Sequence, residues 1–211
     1  PVDFCVPTGN FGDILAGYYA KQMGLPVGKL VCASNKNNVL TDFIRTGTYD
    51  RNRPFYQTAS PSMDILISSN LERFLYFMSG RDGAAVTADM QALAKDGRYS
   101  VADAVRENMA QVLASGAENE AQTLAIIGDV FAKDGYLLDT HTAVAVGVAE
   151  AHNEGRVMVV DSTANPYKFV GAVSEAVNGE KSDASDLDLL GALAEKTGVP
   201  VHLSLIHISE P

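Results

Sequence analysis

The sequence predicts an α/β protein with a doubly wound, mainly parallel sheet and a helical insertion in the middle of the chain. Two observations lead to this class. Short apolar segments near both ends of the chain are each followed by a turn and then by apolar residues at helical spacing. Between them, residues 62–135 carry a succession of helical patterns. Alternating strands and helices are typical of parallel sheets, because a helix carries the chain back to the starting edge.

The first unit predicts two parallel strands joined by a helix. Its expected elements are strands at residues 3–6 and 29–33 and helices at 11–23 and 38–45. Gly24 ends the first helix, as glycine commonly does after a helix. A strand, a helix and a second strand within about thirty residues form a right-handed βαβ unit.

The middle of the chain predicts helices rather than strands. After a loop at residues 47–61 rich in Pro, Tyr and Thr, helical spacing recurs in four segments. These are residues 63–80, 87–96, 102–114 and 121–134. We therefore expect a helical insertion over about residues 62–135.

The last part returns to the α/β pattern. The expected elements are a small-residue helix at 142–153, a buried strand at 156–160, a helix that ends near 177, and an acidic helix at 183–197. Ser182 or Asp183 is the expected cap of the acidic helix, because both side chains accept hydrogen bonds from a first helical turn.

Composition limits the classes of partner. The 211 residues carry a net charge of −10, with 46% hydrophobic and 20% charged residues. An acidic chain is a poor ligand for nucleic acid or for an anionic membrane, and no apolar run is long enough to cross a bilayer. The two cysteines lie in apolar, strand-like segments and are expected to be buried reduced thiols of a cytoplasmic protein, not metal ligands.

The loop Thr8-Gly-Asn-Phe-Gly-Asp13, called the glycine loop below, lies between the first strand and the first helix. Parallel sheets bind ligands beyond the carboxyl ends of their strands, and a helix N-terminus presents unpaired N–H groups. The spacing matches neither a dinucleotide fingerprint nor a P-loop. From the residues alone, an anion site and a plain tight turn with Asp13 in the first helical turn are equally good interpretations.

Four blocks in the chain resemble the threonine synthase family, in that family's order. They are VPTGNFGDILAGYYAKQMGLPVGKLVCASNKNNVLTDFIRTGTY (6–49), ASPSMDILISSNLERF (59–74), GYLLDTHTAVAVGVA (135–149) and DSTANPYKF (161–169). The resemblance covers about residues 3–203 and implies a fold of the tryptophan-synthase-β type whose N-terminal part lies outside this sequence. It also implies the conversion of O-phosphohomoserine and water to threonine and phosphate by a pyridoxal-phosphate lyase.

The same resemblance implies the site. Gly9, Asn10, Phe11, Gly12 and Asp13 would hold the cofactor phosphate, with Asp13 capping the loop's own N–H groups or facing away. Thr163 would contact the pyridine nitrogen, although it also suits the cap of the next helix.

Three further residues have two interpretations each. Asn35 and Asn37 follow the second strand, where they would line the cleft or cap a helix. His141 would bind substrate or serve as a hydrogen-bonded structural residue. Ser60, Ser62 and Asp64 are better explained as structural groups at a helix start.

The resemblance places the catalytic lysine in a block that precedes the glycine loop, so we expect no catalytic residue in this chain and no turnover by the chain alone. Lys168 is close to Thr163 but belongs to a helix start. Residues 1–203 are expected to be part of the cofactor-binding domain and 204–211 a non-native tail. Another pyridoxal-phosphate lyase of the same fold and a non-catalytic phosphate-binding module are the alternatives; the sequence makes no prediction of oligomeric state.

Overall fold

A computed structural model describes residues 1–202 and confirms the α/β class with a parallel sheet. The sheet has four strands, with bounds Val2–Pro7 (β1), Val27–Ser34 (β2), Leu113–Ala117 (β5) and Met158–Val160 (β6). Their order across the sheet is β5-β2-β1-β6. Each neighbouring pair is parallel, with Cys5 opposite both Val31 and Val160. All four strands therefore end at the same edge of the sheet.

Helices cover both faces of this sheet. In the first unit, α1 (Gly12–Gln22) connects β1 to β2, and α2 (Val39–Thr46) follows β2. On the opposite face lies α7 (Thr140–Ala151), whose Val144 and Val148 form a cluster with the buried Cys5. Burial raises the pKa of the Cys5 and Cys32 thiols to about 12, so both remain protonated and unreactive at neutral pH.

The middle of the chain contains less helix than the sequence predicts. Its elements are β3 (Thr48–Asp50), α3 (Leu71–Met78), α4 (Gly83–Asp96), β4 (Arg98–Ser100) and α5 (Asp103–Val112). The helix expected over residues 63–80 begins only at Leu71, after a 3-10 turn at Pro61–Met63. β3 and β4 pair in an antiparallel ribbon that stacks the Tyr49 and Tyr99 rings.

The strand β5 also departs from the prediction. The sequence predicts a helix as far as residue 114, but α5 ends at Val112 and the chain enters the main sheet beside β2. Small residues make up most of β5 (LASGA), and its Gly116 packs under Val148. Residues 62–135 therefore include one strand of the main sheet.

The C-terminal elements complete the fold. They are α6 (Glu120–Asp134), a 3-10 turn at Pro166–Phe169, α8 (Val170–Asn178) and α9 (Asp186–Thr197). Ser185 caps α9, not Ser182 or Asp183, because its side chain accepts the Asp188 N–H. The expected non-native tail lies outside the described residues. Among residues 1–202, no helix has the length and apolarity needed to cross a bilayer.

A buried carboxylate joins β1, β2 and the segment before β6. Asp3 is 3% exposed, and its two oxygens accept the Lys29 N–H at 2.7 Å and the Arg156 Nε–H at 2.8 Å. Burial acts to raise the pKa of Asp3, but these two donors outweigh it and lower the pKa below its ordinary value. Gly28 is required beside this carboxylate, since a Cβ there would lie 2.0 Å from Asp3 Oδ1.

Candidate functional site

The loops that follow β1 and β6 meet at the carboxyl edge of the sheet, where the first turn of α7 and the turn at Pro61–Met63 close a cavity. Its volume is about 200 Å³. The cavity is lined by Pro7, Gly9, Asn10, Asp13, Ser62, Met63, His141, Thr163, Ala164, Lys168 and Phe169. Three of the residues assigned to the phosphate loop and Thr163 therefore share one cavity, although they are about 150 residues apart in the chain.

The glycine loop presents unpaired donors at the start of α1. Phe11 has φ 66° in the left-handed region, and its side chain is buried. The Gly12 N–H donates to Asn10 Oδ1 at 2.9 Å, whereas the N–H groups of Gly9, Asn10, Phe11 and Asp13 have no acceptor among residues 1–202. Successive free N–H groups and a helix N-terminus form an anion-binding concavity.

Gly9 is required by close packing rather than by its backbone angles. A Cβ on Gly9 would lie 2.6 Å from the carbonyl oxygen of Ser62, which is a backbone atom. The turn at Pro61–Met63 therefore lies directly against the loop, and any side chain at position 9 would separate them.

Asp13 lines the cavity and lies beside Asp161, the residue that follows β6. Burial raises the pKa of the Asp13 carboxyl, and the charge of Asp161 and a hydrogen bond between the two side chains raise it further. Of the two roles expected for Asp13, capping the loop or facing away from the phosphate, the first is not seen, because the side-chain acceptor within the loop is Asn10. The surroundings of Asp13 therefore disfavour the charged form of its carboxyl group.

His141 is fully engaged by protein groups. Its Nε2 accepts the Ser62 N–H at 3.2 Å, which assigns the ring hydrogen to Nδ1, 3.2 Å from Asp139 Oδ1. Burial would raise the pKa of Asp139, but hydrogen bonds from His141 and Thr142 outweigh it and lower the pKa. The structure thus places His141 in the cavity wall, and its geometry favours the structural interpretation over direct substrate binding.

Asn35 and Asn37 do not line this cavity. They are 2% and 4% exposed, and both amide groups donate to Asp64 Oδ1, at 2.8 and 2.9 Å. Asn37 also pairs with both main-chain groups of Tyr56. These contacts hold the loop between β3 and the Pro61–Met63 turn and leave no free group for a substrate in this conformation.

Thr163 and Lys168 both line the cavity, and both side chains are exposed. Neither the Thr163 hydroxyl nor the Lys168 ammonium group has a hydrogen-bond partner within the described part of the chain. A hydroxyl that is free to donate or accept is therefore available opposite the glycine loop.

Sequence reasoning did not assign a role in the site to Asp161 or Phe169. Phe169 packs its ring 4.7 Å from the His141 ring. Asp161 could have been found from its position alone, because it directly follows a predicted strand. The contact between Phe169 and His141 has no such signal, since it joins residues on separate elements.

The fold and the cavity define a class: an α/β protein with a cleft at the carboxyl edge of a parallel sheet, beside a loop with free main-chain N–H groups. Comparison with known proteins narrows this class. The family profile described as "Threonine synthase, C-terminal" matches residues 142–203. Human Threonine synthase-like 1 is 44% identical over 197 residues, which are 91% of this chain and 26% of that protein. Threonine synthase from Pseudomonas aeruginosa is 43% identical over 181 residues, 85% of this chain and 38% of that protein.

Solved structures agree. The PLP-bound threonine synthase from Brucella melitensis superposes with a TM-score of 0.82 at 45% identity, over 89% of this chain and 41% of that one. Threonine synthase from yeast superposes with a TM-score of 0.84 at 35% identity, over 99% of this chain and 42% of that one. The chain belongs to the threonine synthase family and corresponds to the C-terminal portion of its members. It spans about a quarter to two-fifths of the length of the relatives it matches.

Proposed function

We propose that the protein containing this chain is a threonine synthase, a pyridoxal-phosphate-dependent lyase that converts O-phosphohomoserine and water to threonine and phosphate in threonine biosynthesis. Threonine synthases from bacteria and yeast match the chain at 43% and 38% identity, which supports this proposal. The chain contributes the phosphate end of the cofactor site and one wall of the cleft.

The single observation that carries the proposal is the row of free N–H groups at the start of α1. The residues from Gly9 to Asp13 would hold the cofactor phosphate through main-chain donors and the positive end of the helix. The Thr163 hydroxyl lies in the same cavity and would bond the pyridine nitrogen. When bound, pyridoxal phosphate supplies an electron sink for carbanions formed on an amino-acid substrate.

The residues of this chain would prepare the site in two ways. His141 holds the Ser62 main chain, which in turn packs on Gly9, so the cavity wall keeps its position. The surroundings of Asp13 disfavour the charged form of its carboxyl group, which suits a carboxyl group beside a phosphate dianion. A neutral Thr163 hydroxyl, unlike a carboxylate, does not keep the pyridine nitrogen protonated.

The experiment uses protein expressed from its complete gene. We expect a visible absorbance band that borohydride removes, and release of phosphate from O-phosphohomoserine with formation of threonine. Thr163→Val should lower turnover about tenfold or more, because the ring nitrogen loses its partner. Thr87→Val, an exposed threonine that bonds only within α4, is the control and should leave turnover unchanged. A colourless protein that releases no phosphate would contradict the proposal.

A related lyase is the second candidate, because relatives named Threonine synthase-like 1 match this chain as well as threonine synthases do. A coloured protein that acts on another hydroxy-amino acid or its phosphate, and not on O-phosphohomoserine, would support this alternative.

We also propose that residues 1–211 alone turn over no O-phosphohomoserine. The family resemblance places the cofactor-binding lysine in a sequence block that these residues do not contain. Phosphate release by the 211-residue chain, measured beside the product of the complete gene, tests this; turnover by the chain alone would contradict it.

A further inference from the structure

The segment before α3 binds the two carbonyl groups of the glycine loop. Ser68 Oγ donates to the Gly9 carbonyl oxygen at 2.8 Å. Asn70 donates twice to the Asn10 carbonyl oxygen, from its main-chain N–H and from Nδ2, both at 3.0 Å. Two consecutive carbonyl groups of the loop are therefore held by three donors from a segment about sixty residues away.

These bonds determine where the free N–H groups of the loop point. Every peptide bond among residues 1–202 is trans, so the N–H of Asn10 points opposite to the Gly9 carbonyl, and the N–H of Phe11 points opposite to the Asn10 carbonyl. Ser68 and Asn70 do not line the cavity, whereas Gly9 and Asn10 do. The carbonyl oxygens are thus held on the α3 side, and the two N–H groups point to the other side.

Asn70 makes these bonds in place of its usual local one. It occupies the N-cap position of α3, where an Asn side chain ordinarily accepts an N–H of its own helix. No such cap bond forms, and the amide faces Asn10 instead. The side chain therefore stabilises the loop rather than the helix that it begins.

Ser68 is itself held by a buried aromatic pair. Its N–H donates to the Tyr49 hydroxyl at 2.9 Å, and the Tyr49 ring stacks on Tyr99 with centroids 5.4 Å apart. The donor to Gly9 therefore belongs to a packed framework, which is what a positioning group requires.

We propose that Ser68 and Asn70 are positioning residues that orient the N–H groups of Asn10 and Phe11 toward a bound phosphate, without contacting it. The inference rests on the proposed function, since the anion is the phosphate of pyridoxal phosphate. Loss of the bonds frees the two peptide groups to rotate, which weakens phosphate binding and leaves contacts to the rest of the cofactor unchanged.

The test compares dissociation constants for pyridoxal phosphate and for pyridoxal, which lacks the phosphate, in protein from the complete gene. In the double variant Ser68→Ala/Asn70→Ala, we expect pyridoxal phosphate to bind about tenfold to a hundredfold more weakly, and pyridoxal to change less than about twofold. Ser68→Thr in an otherwise native protein keeps a hydroxyl at this position and should keep the native ratio of the two constants. The melting temperature of each variant is measured to establish that the variant is folded.

Asn108→Ala is the matched control. Asn108 Nδ2 also donates to a main-chain carbonyl, that of Met78 at the far end of α3, so this variant loses the same kind of bond away from the loop. We expect it to keep the native ratio of the two constants. Equal weakening of both ligands in the double variant, or no weakening of either, would overturn the positioning role. If the native protein binds the two ligands equally, the proposed phosphate loop itself fails.

Discussion

Phe11 tests how the glycine loop is held, because it combines a left-handed backbone with a fully buried side chain. Its φ is 66°, its ring is 1% exposed, and the ring centroid lies 5.5 Å from that of Phe74. Truncation of a buried Phe to Ala costs about 3–5 kcal/mol. A left-handed backbone costs about 1–2 kcal/mol for any residue with a Cβ, and glycine avoids this cost.

The two truncations of Phe11 should therefore rank in an unusual order. Phe11→Ala loses the packing and keeps the strain, whereas Phe11→Gly loses the packing and removes the strain. After the greater chain entropy of glycine is subtracted, we expect Phe11→Gly to be about 1 kcal/mol more stable than Phe11→Ala. The measurement is urea-induced unfolding of the two variants, followed by far-UV circular dichroism.

Phe74 provides the matched control, since it is equally buried but lies inside α3. There Phe74→Gly should be about 1 kcal/mol less stable than Phe74→Ala, because glycine is the poorer helix former. We therefore expect the Gly variant to be the more stable one at position 11 and the Ala variant to be the more stable one at position 74. If Phe11→Gly unfolds at the same or a lower urea concentration than Phe11→Ala, the strain assigned to Phe11 is absent.

Three further predictions concern single groups. Tyr99→Phe should stabilise the protein by about 1 kcal/mol, because the buried Tyr99 hydroxyl has no protein partner among the described residues; a lower melting temperature would contradict this. Asp3 has a lowered pKa, so its stabilising contribution is complete above about pH 4 and is lost as pH falls further. The difference in free energy of unfolding between the native protein and Asp3→Asn should therefore shrink as the pH is lowered. A difference that stays constant with pH would contradict this role of Asp3. Gly9→Ala should push the Ser62 carbonyl away and weaken pyridoxal-phosphate binding. Gly171→Ala is the control, because there is open space around Gly171, and it should bind the cofactor as the native protein does. Equal affinities of the two variants for pyridoxal phosphate would contradict the packing argument.

Much of the site could be predicted from short stretches of sequence. The apolar strand, the glycine loop and the helix that follows are adjacent in the chain, so local spacing predicts the βαβ unit and a tight turn with free N–H groups at the start of the helix. The position of Thr163 after β6 has the same origin. The function of these residues came from family resemblance, since spacing alone left a turn and an anion site equally good.

Long-range contacts explain the errors. The helix predicted from residue 63 begins at Leu71, because the preceding polar residues bond the glycine loop instead of continuing the helix. Asn35 and Asn37 follow a strand, as ligand-binding residues often do, but Asp64 engages both amides. Propensity and periodicity describe a residue's neighbours in the chain, and these contacts lie outside that window.

The sequence by itself determined the α/β class, the order of the strand β1, the helix α1 and the strand β2, and the free N–H groups expected at the start of α1, because each follows from neighbouring residues. Only the tertiary structure decided that β5 joins the sheet, that Asp161 lies beside Asp13, and that Ser68 and Asn70 bind the loop carbonyls. The residues of a loop are enough to predict that its main chain offers N–H donors. The direction in which those donors point depends on partners that the chain brings to the loop only when it folds.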